Sequence, residues 1–434
     1  MINIRAIVVP SRVAASQSTR RRAIILALGL TWTWMWFPDA RAANHWVGSR
    51  GRDATGQGSR TRPWATLQFA ADRVRAGDTV HVLDGDYAGF DLRHGGTRDA
   101  SVSFKAEGKH VRIVRRNRKT PDGINIEGAD YVVIDGFIVN EMPRSGVRAV
   151  VGSHVTIRGI RAAHNGSWGI FTAHCDDVAL IGNQVSNSVK EHGIYVSNSG
   201  DRPLIRGNVS WGNRGCGIHM NGDLSQGGDG IISGAVVENN VIFENGKGGG
   251  SGINCDGVQD SKFQNNLLYN NHSSGISLYR INGADGSTGN SVINNTIVQA
   301  ADARWAVNVT NKSTKNVIAN NILFHKGSKG SINISADSLS GFRSDSNIVV
   351  DRFSPDGGDR FITLTEWRSA TGLDRHSRVS KPQDVFVNPE STDYHLRAGS
   401  PAIDAADPVM ATRTDLEGRA RTVGDRPDIG AYEF

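Results

Sequence analysis

From Gly217 to Asp223 the chain reads GIHMNGD, a histidine, an asparagine and an aspartate set among Gly, Ile and Met. Alone, such a stretch is what any half-exposed strand looks like. Four other segments change its meaning: GIFTAHCDD at Gly169, GIYVSNSGD at Gly193, GINCDGVQD at Gly252 and GISLYRING at Gly275 align with it without gaps. With Gly as position zero, Ile at +1 and the +3 residues Thr172, Val196, Met220, Cys255 and Leu278 form an inward set, so +2 and +4 face outward together. The +2 column reads Phe171, Tyr195, His219, Asn254, Ser277, and the +4 column reads Ala173, Ser197, Asn221, Asp256, Tyr279. Solvated strands more often carry Thr, Lys and Ser.

This inventory suits proton abstraction beside a carboxylate. β-Elimination on a uronic acid requires a group that neutralises the carboxylate, a base for the C5 proton and an acid for the leaving oxygen. Arg280 or Asn221 fits the first role, His219 or Lys190 the second, and Tyr195 or Tyr279 the third. Glu191, His192, Asn254, Asp256 and Trp168 are then expected to bind substrate. Glycoside hydrolysis needs two facing carboxylates, for which Glu191, Asp223 and Asp256 are available. No Asp-Asp pair stands at the aligned position, and Asp176-Asp177 reads as a turn. A non-catalytic reading keeps the same columns as a grip on a glycan.

Positioning these columns requires strands that stack one repeat upon the next. A second register lies between the GI segments: VVIDGF ending at Phe137, VTIRGI at Ile160, VALIGN at Asn183, PLIRGN at Asn208, VVENN at Asn240, KFQNN at Asn266, VINN at Asn295 and VIANN at Asn321. Each cycle holds short strands of period-two alternation between Gly and Asn turns. Such a unit cannot bury its apolar face alone, so the coils must stack. The expected fold is all-β, a right-handed parallel β-helix of about eight to ten coils, with the Asn residues stacked as an internal ladder. The insertion DLSQGGDGIISG at 223–234 leaves the repeat directly after the His219 strand and is expected to wall a groove.

The ends differ from the middle. Pro63 to Ala76 predicts a capping helix, with Trp64, Leu67, Ala71 and Val74 at helical spacing. Residues 336–383 lose the repeat and hold a short helix around Leu364 to Ala370. Arg20, Arg21 and Arg22 before an apolar run from Ala23 to Phe37, then Ala40-Arg41-Ala42, mark residues 1–42 as an export signal; TRRRAII looks like a twin-arginine leader, and an ordinary secretory signal with an arginine-rich start is the alternative. The organisation is therefore leader 1–42, cap 43–90, β-helix 91–335 and a C-terminal extension 336–434 packing on it. A secreted or periplasmic monomer without a membrane span in the mature chain is expected.

The leader carries six arginines and one aspartate, so the formal net charge of +6 falls to +1 on its removal and no nucleic-acid partner is implied. Lys105 to Lys119 holds seven Lys or Arg and could extend a track for an anionic polymer. Cys175, Cys216 and Cys255 lack CxxC spacing and read as small buried residues. The histidines at 164, 174, 192 and 219 fall in different columns, against a zinc site.

Residues 44–87 resemble the N-terminal cap of pectate-lyase-like right-handed β-helix proteins, and residues 400–434 resemble the segment found behind such helices in secreted bacterial proteins. The resemblance implies a carbohydrate-active scaffold of polysaccharide lyases, glycoside hydrolases and uronate C5-epimerases, with some adhesins and tailspikes. GIHMNGD is similar to the epimerase strand Gly-aromatic-Asp-Pro-His-Asp in placement only, since its His stands at +2 and Pro is missing. Pectate lyases of this kind use calcium held by clustered Asp and a lysine base. Candidate ligands for such a Ca2+ are the clustered Asp223, Asp229 and Asp256, with Lys190 nearby, although their spacing does not reproduce that family's ligand motif. The function expected from residues and resemblance together is cleavage of an anionic, uronic-acid-containing polysaccharide by a lyase.

Overall fold

A computed structural model describes residues 42–434 other than Ser199 and Thr422. All of the expected leader except Ala42 lies outside the described residues. Three parallel sheets of 12, 11 and 12 strands run the length of the molecule, and neighbours within each sheet come from successive repeats. The chain thus visits each sheet once per coil, a right-handed parallel β-solenoid of about 12 turns. Strands as early as Asn44–Val47 and as late as Arg343–Asp345, Phe353–Ser354 and Arg378–Val379 belong to these sheets. The repeat therefore begins before 91 and continues past 335. It escapes notice there because the terminal coils lack the GI and Asn-Asn signatures while keeping the same pairing.

The interior is made by the inward positions. Ile170, Ile194, Ile218, Ile253, Ile276 and Val307 stack with no exposed surface, and each coil leaves apolar area open until the next one covers it. Asn183 begins a ladder in which each buried side-chain amide donates to the next Asn at 2.9–3.1 Å, through Asn208, Asn240, Asn266, Asn295, Asn321 and Asn347. The same amides also donate to backbone carbonyls across the turn, as Asn240 does to Ile205 at 2.9 Å. Each such bond is worth about 1 kcal/mol net, and far more is lost if a buried amide goes unpaired.

The Asn-Asn pairs have a divided task. The second Asn enters the ladder, and the first, in the left-handed conformation at 239, 265, 294 and 320, turns its amide to the C-terminal segment. Asn265 donates to the Thr414 carbonyl at 2.7 Å, Asn294 to Asp428 at 3.0 Å and Asn320 to Asp407 at 3.0 Å. A fully buried Arg421–Glu433 pair at 3.2 Å lies in that segment.

Helix α1 spans Leu67–Ala71, capped by Thr66, and buries Leu67, Ala70 and Ala71. It is shorter than the Pro63–Ala76 expectation because Trp64 bridges Val47 at the strand edge and Asp53 accepts the Ala65 and Thr66 N–H groups, which holds this stretch as a loop. Helix α2 spans Leu364–Thr371, with a capping box between Thr363 and Glu366. Its buried Trp367 donates to Asp374 at 2.9 Å, and Asp374 in turn accepts from Asn347, so this segment continues the ladder. Among the described residues no helix is long and apolar enough to cross a membrane.

Lys105 to Lys119 does not form one track. Lys105 lies on a strand of one sheet and Arg112 on a strand of another, paired with Asp86 at 2.6 Å, while Lys119 pairs with Asp91 at 3.0 Å. A coil of three sheets distributes fifteen consecutive residues over several faces, which a linear charge count overlooks.

Candidate functional site

The 11-stranded sheet contains the GI segments as strands β1 (Trp168–Asp176), β2 (Ile194–Ser197), β3 (Ile218–Asn221), β4 (Ile253–Asp256) and β5 (Ile276–Tyr279). Their register pairs Phe171 with Tyr195, Tyr195 with His219, His219 with Asn254 and Asn254 with Ser277. The second column pairs Ala173, Ser197, Asn221, Asp256 and Tyr279 in the same way. Strand β6 (Val307–Val309) extends the first column to Asn308. Both columns thus stand as the period-two reading places them.

A cavity of about 420 Å³ opens on this face over β3 to β6, with His192, His219, Asn254, Tyr279, Arg304 and Asn308 in its wall. Among the described residues no Asp or Glu lines it. His192 and His219 meet edge to face, with Nε2 of His192 3.0 Å from Nδ1 of His219. The Asn254 amide donates to Tyr279 Oη at 2.7 Å. Burial pushes His192 down to about 4, and burial together with the neighbouring His192 holds His219 well below the usual imidazole range. Both rings are therefore neutral at pH 7. Burial, reinforced by Asp256 nearby, raises the Tyr279 phenol well above its ordinary value, against the bond from Asn254, which favours the phenolate.

Beside the cavity lies an aromatic platform. Trp168 stacks on Phe171 at 4.6 Å between centroids, Phe171 meets Tyr195 edge to face, and Tyr195 leans on His219 at 4.8 Å. Glu191 accepts the Trp168 indole N–H at 2.8 Å and fixes the ring that begins the platform. Asn221 is buried and donates to Tyr195 Oη at 3.2 Å, so this pair braces the wall from behind and does not line the cavity.

Several expected residues do not join the site. Arg280 is exposed and absent from the cavity wall, because the chain turns away after Tyr279. Lys190 is exposed in the turn before β2 and is likewise not in the wall. Asp256 is a structural carboxylate: it accepts the backbone N–H groups of Ile281 and Asn282 at 2.8 Å and of Gly283 at 3.0 Å, which leaves it buried and committed. Asp223 caps a short 3-10 turn by accepting from Ser225, and the exposed Asp229 accepts from Ile231. The calcium cluster expected from Asp223, Asp229 and Asp256 is not assembled, since each carboxylate closes its own turn.

The insertion at 223–234, expected to wall a groove, supplies none of the residues that line the cavity. Leu224 N–H donates to Asn282 and Ala284 N–H to Gly230, so it is bonded to the loop that Asp256 holds. Among the described residues one group of three metal-capable side chains exists, His192, Cys216 and His219, with ligand atoms within 4.8 Å of one another. The separate columns of the sequence reading did not place these histidines together; the turn before each strand does. Burial pushes the Cys216 thiol up to about 12, so a thiolate is disfavoured there, and the two imidazoles already satisfy each other.

Arg304 was missed by sequence reasoning. It sits three residues before Val307, the place that Glu191 occupies before β2 and Ser273 before β5. Its coil reads RWAVNV where its predecessors carry Gly-Ile, and extending the columns through that substitution would have found it.

A model of the right-handed beta helix region matches residues 102–249 and 168–349, together more than half of the chain. The chain belongs to the right-handed β-helix family. This β-helix is 24% identical to the uncharacterized protein YwoF of Bacillus subtilis (strain 168), over 82% of this chain and 91% of that one. Among solved structures it superposes on pectate lyase Pel9A with a TM-score of 0.63 and 18% identity, covering 90% of this chain and 96% of the other. A rhamnogalacturonan lyase gives 0.53 at 15% identity, with 70% and 87% covered. Alginate lyase from Paenibacillus sp. str. FPU-7 gives 0.51 at 18% identity, with 67% and 97% covered. At these identities the likeness is one of fold.

Proposed function

We propose that this β-helix is an extracytoplasmic polysaccharide lyase that cleaves a uronic-acid-containing chain by β-elimination. The observation that carries the reading is a cavity with His219, Asn254, Tyr279 and Arg304 in its wall and no carboxylate among its lining residues. Hydrolysis of a glycoside needs two free carboxylates, and Glu191, Asp223 and Asp256 are each occupied by a hydrogen bond of another purpose. An anionic sugar unit, by contrast, finds a guanidinium to pair with, two proton-bearing groups and an amide donor. Among the described residues Arg304 forms no ion pair, and from the cavity wall it can meet the substrate carboxylate. His219 and Tyr279 face the sugar from the cavity wall. The platform of Trp168, Phe171 and Tyr195 receives the apolar face of an adjacent sugar.

The leader motif supports export, and the lyases among the structural relatives support the substrate class. The test is incubation with a panel of acidic polysaccharides, reading the ultraviolet absorbance of the new C4–C5 double bond and the reducing ends in parallel. Absorbance that is lost in Arg304→Ala is expected. Reducing ends without absorbance would overturn the lyase, and silence in both channels would leave a glycan-binding protein.

A further inference from the structure

We propose that His192 sets the tautomer of His219, so that His219 meets the substrate as a hydrogen-bond donor and not as the base; this rests on the lyase reading above. A backbone N–H can only donate. That of Cys216 points at Nδ1 of His192 at 2.9 Å, so this nitrogen carries a lone pair and the ring's single proton is on Nε2. Glu191, with its carboxylate oxygen 3.7 Å from the same Nε2, favours the proton there. Nε2–H of His192 then donates to Nδ1 of His219 at 3.0 Å, which must be bare. The proton of His219 is therefore on its Nε2; the Asn254 amide nitrogen, itself a donor, lies 3.5 Å from that atom and opposes this tautomer, but it is directed to Tyr279 at 2.7 Å and is outweighed by the 2.9 and 3.0 Å bonds through His192.

The consequence is chemical. A neutral imidazole whose outer nitrogen already holds a proton cannot take the C5 proton through it. It can hold the carboxylate beside Arg304 while negative charge builds there, as a fixed donor in a site that excludes water. Tyr279 stays a phenol, because burial outweighs the bond from Asn254. It gives its proton to the departing oxygen as the C4–O bond breaks, the C5 C–H electron pair becomes the C4–C5 double bond, and the C5 proton passes to the Tyr279 oxygen. The phenol is thereby restored, so the step closes without an oxidant, a reductant or a further reactant. The same bond from Cys216 argues against a metal at His192, Cys216 and His219, because a cation at Nε2 would need an imidazolate.

The experiment is 15N NMR of the histidine-labelled full chain, with His192 and His219 assigned by single substitution. His219 is expected to show a protonated Nε2 and a bare Nδ1. His192→Gln, which can still donate at the same place, keeps this pattern, whereas His192→Glu, which accepts there, moves the proton to Nδ1 and lowers kcat about tenfold or more below the Gln variant. A bare Nε2 in the wild-type protein overturns the assignment, as do metal-ligated shifts at both rings on titration with zinc. Should either variant fail to fold, the wild-type spectrum alone decides the tautomer. The expected tautomer without turnover on any uronate polymer would remove the lyase reading and the catalytic use of the donor, and leave the hydrogen-bond chain standing.

Discussion

Asp91, Asn125 and Arg148 stand in the same outward column as Tyr195, His219 and Asn254, a few coils nearer the N-terminus, and the two stretches treat polar groups in opposite ways. In the first, everything is paired. Asp91 accepts from Arg93 at 2.9 Å, Lys119 at 3.0 Å and Asn125 at 2.6 Å, and Glu127 holds Arg93 and Arg148 at 2.9 and 2.8 Å. Burial would raise the Asp91 carboxyl, but the bonds from Arg93, Asn125 and Lys119 outweigh it and hold it below the usual range. In the second stretch the imidazoles are neutral, Arg304 meets no acid among the described residues and a cavity lies open. Backbone, register and direction are the same in both. What separates a structural face from a candidate site is whether its polar groups saturate one another.

The sharpest break of this comparison is removal of the open half's own groups. Arg304→Ala and Tyr279→Phe should each lower kcat/KM on an acidic polysaccharide about a hundredfold or more, read as ultraviolet absorbance, with thermal stability kept. Next comes Asp256→Ala, which strands three N–H groups of the 281–283 loop and should cost about 3 kcal/mol in urea unfolding, collapsing the wall along with the activity.

Acid acts on the open half as well. His192 has a folded value of about 4 against 6.5 when unfolded, so the unfolded chain binds more protons between these values. Stability should therefore fall as the pH drops below 6.5 and level off near 4, by up to about 1.4 kcal/mol per pH unit from this group, and His192→Gln should remove its share. Trp168→Ala should raise KM about fivefold with little change in kcat, the mark of a binding platform. The smallest effect is expected at Arg148→Ala in the saturated half. Glu127 and Asn125 keep other partners there, so unfolding should shift by about 1 kcal/mol and turnover should not change. A large loss of activity in that variant would extend the site into the first coils.

The columns were legible because period-two alternation and a regular repeat place residues whose neighbours are other strands of the same kind. His219, Asn254, Ser277 and Tyr279 were set on one sheet in this way, and the Asn residues were set in their ladder. Arg280, Lys190 and the Asp223–Asp229–Asp256 cluster were misjudged for a common reason. They lie in or beside turns, where the next residue's direction depends on local left-handed geometry and on which backbone N–H is nearest. The closeness of His192 to His219 was hidden by the same uncertainty, and Arg304 by the loss of Gly-Ile in its coil.

By itself the sequence determined the solenoid, its inward and outward faces and the order in which side chains follow one another along the sheet, since these depend on alternation and stacking that recur every coil. Only the tertiary structure decided which polar groups are engaged: Asp256 by three backbone amides and Glu191 by Trp168, while the Arg304 side chain has no ion-pair partner among the described residues. A hydrogen bond made at a turn depends on distances of a few tenths of an ångström between segments far apart in the chain, and no periodicity encodes them.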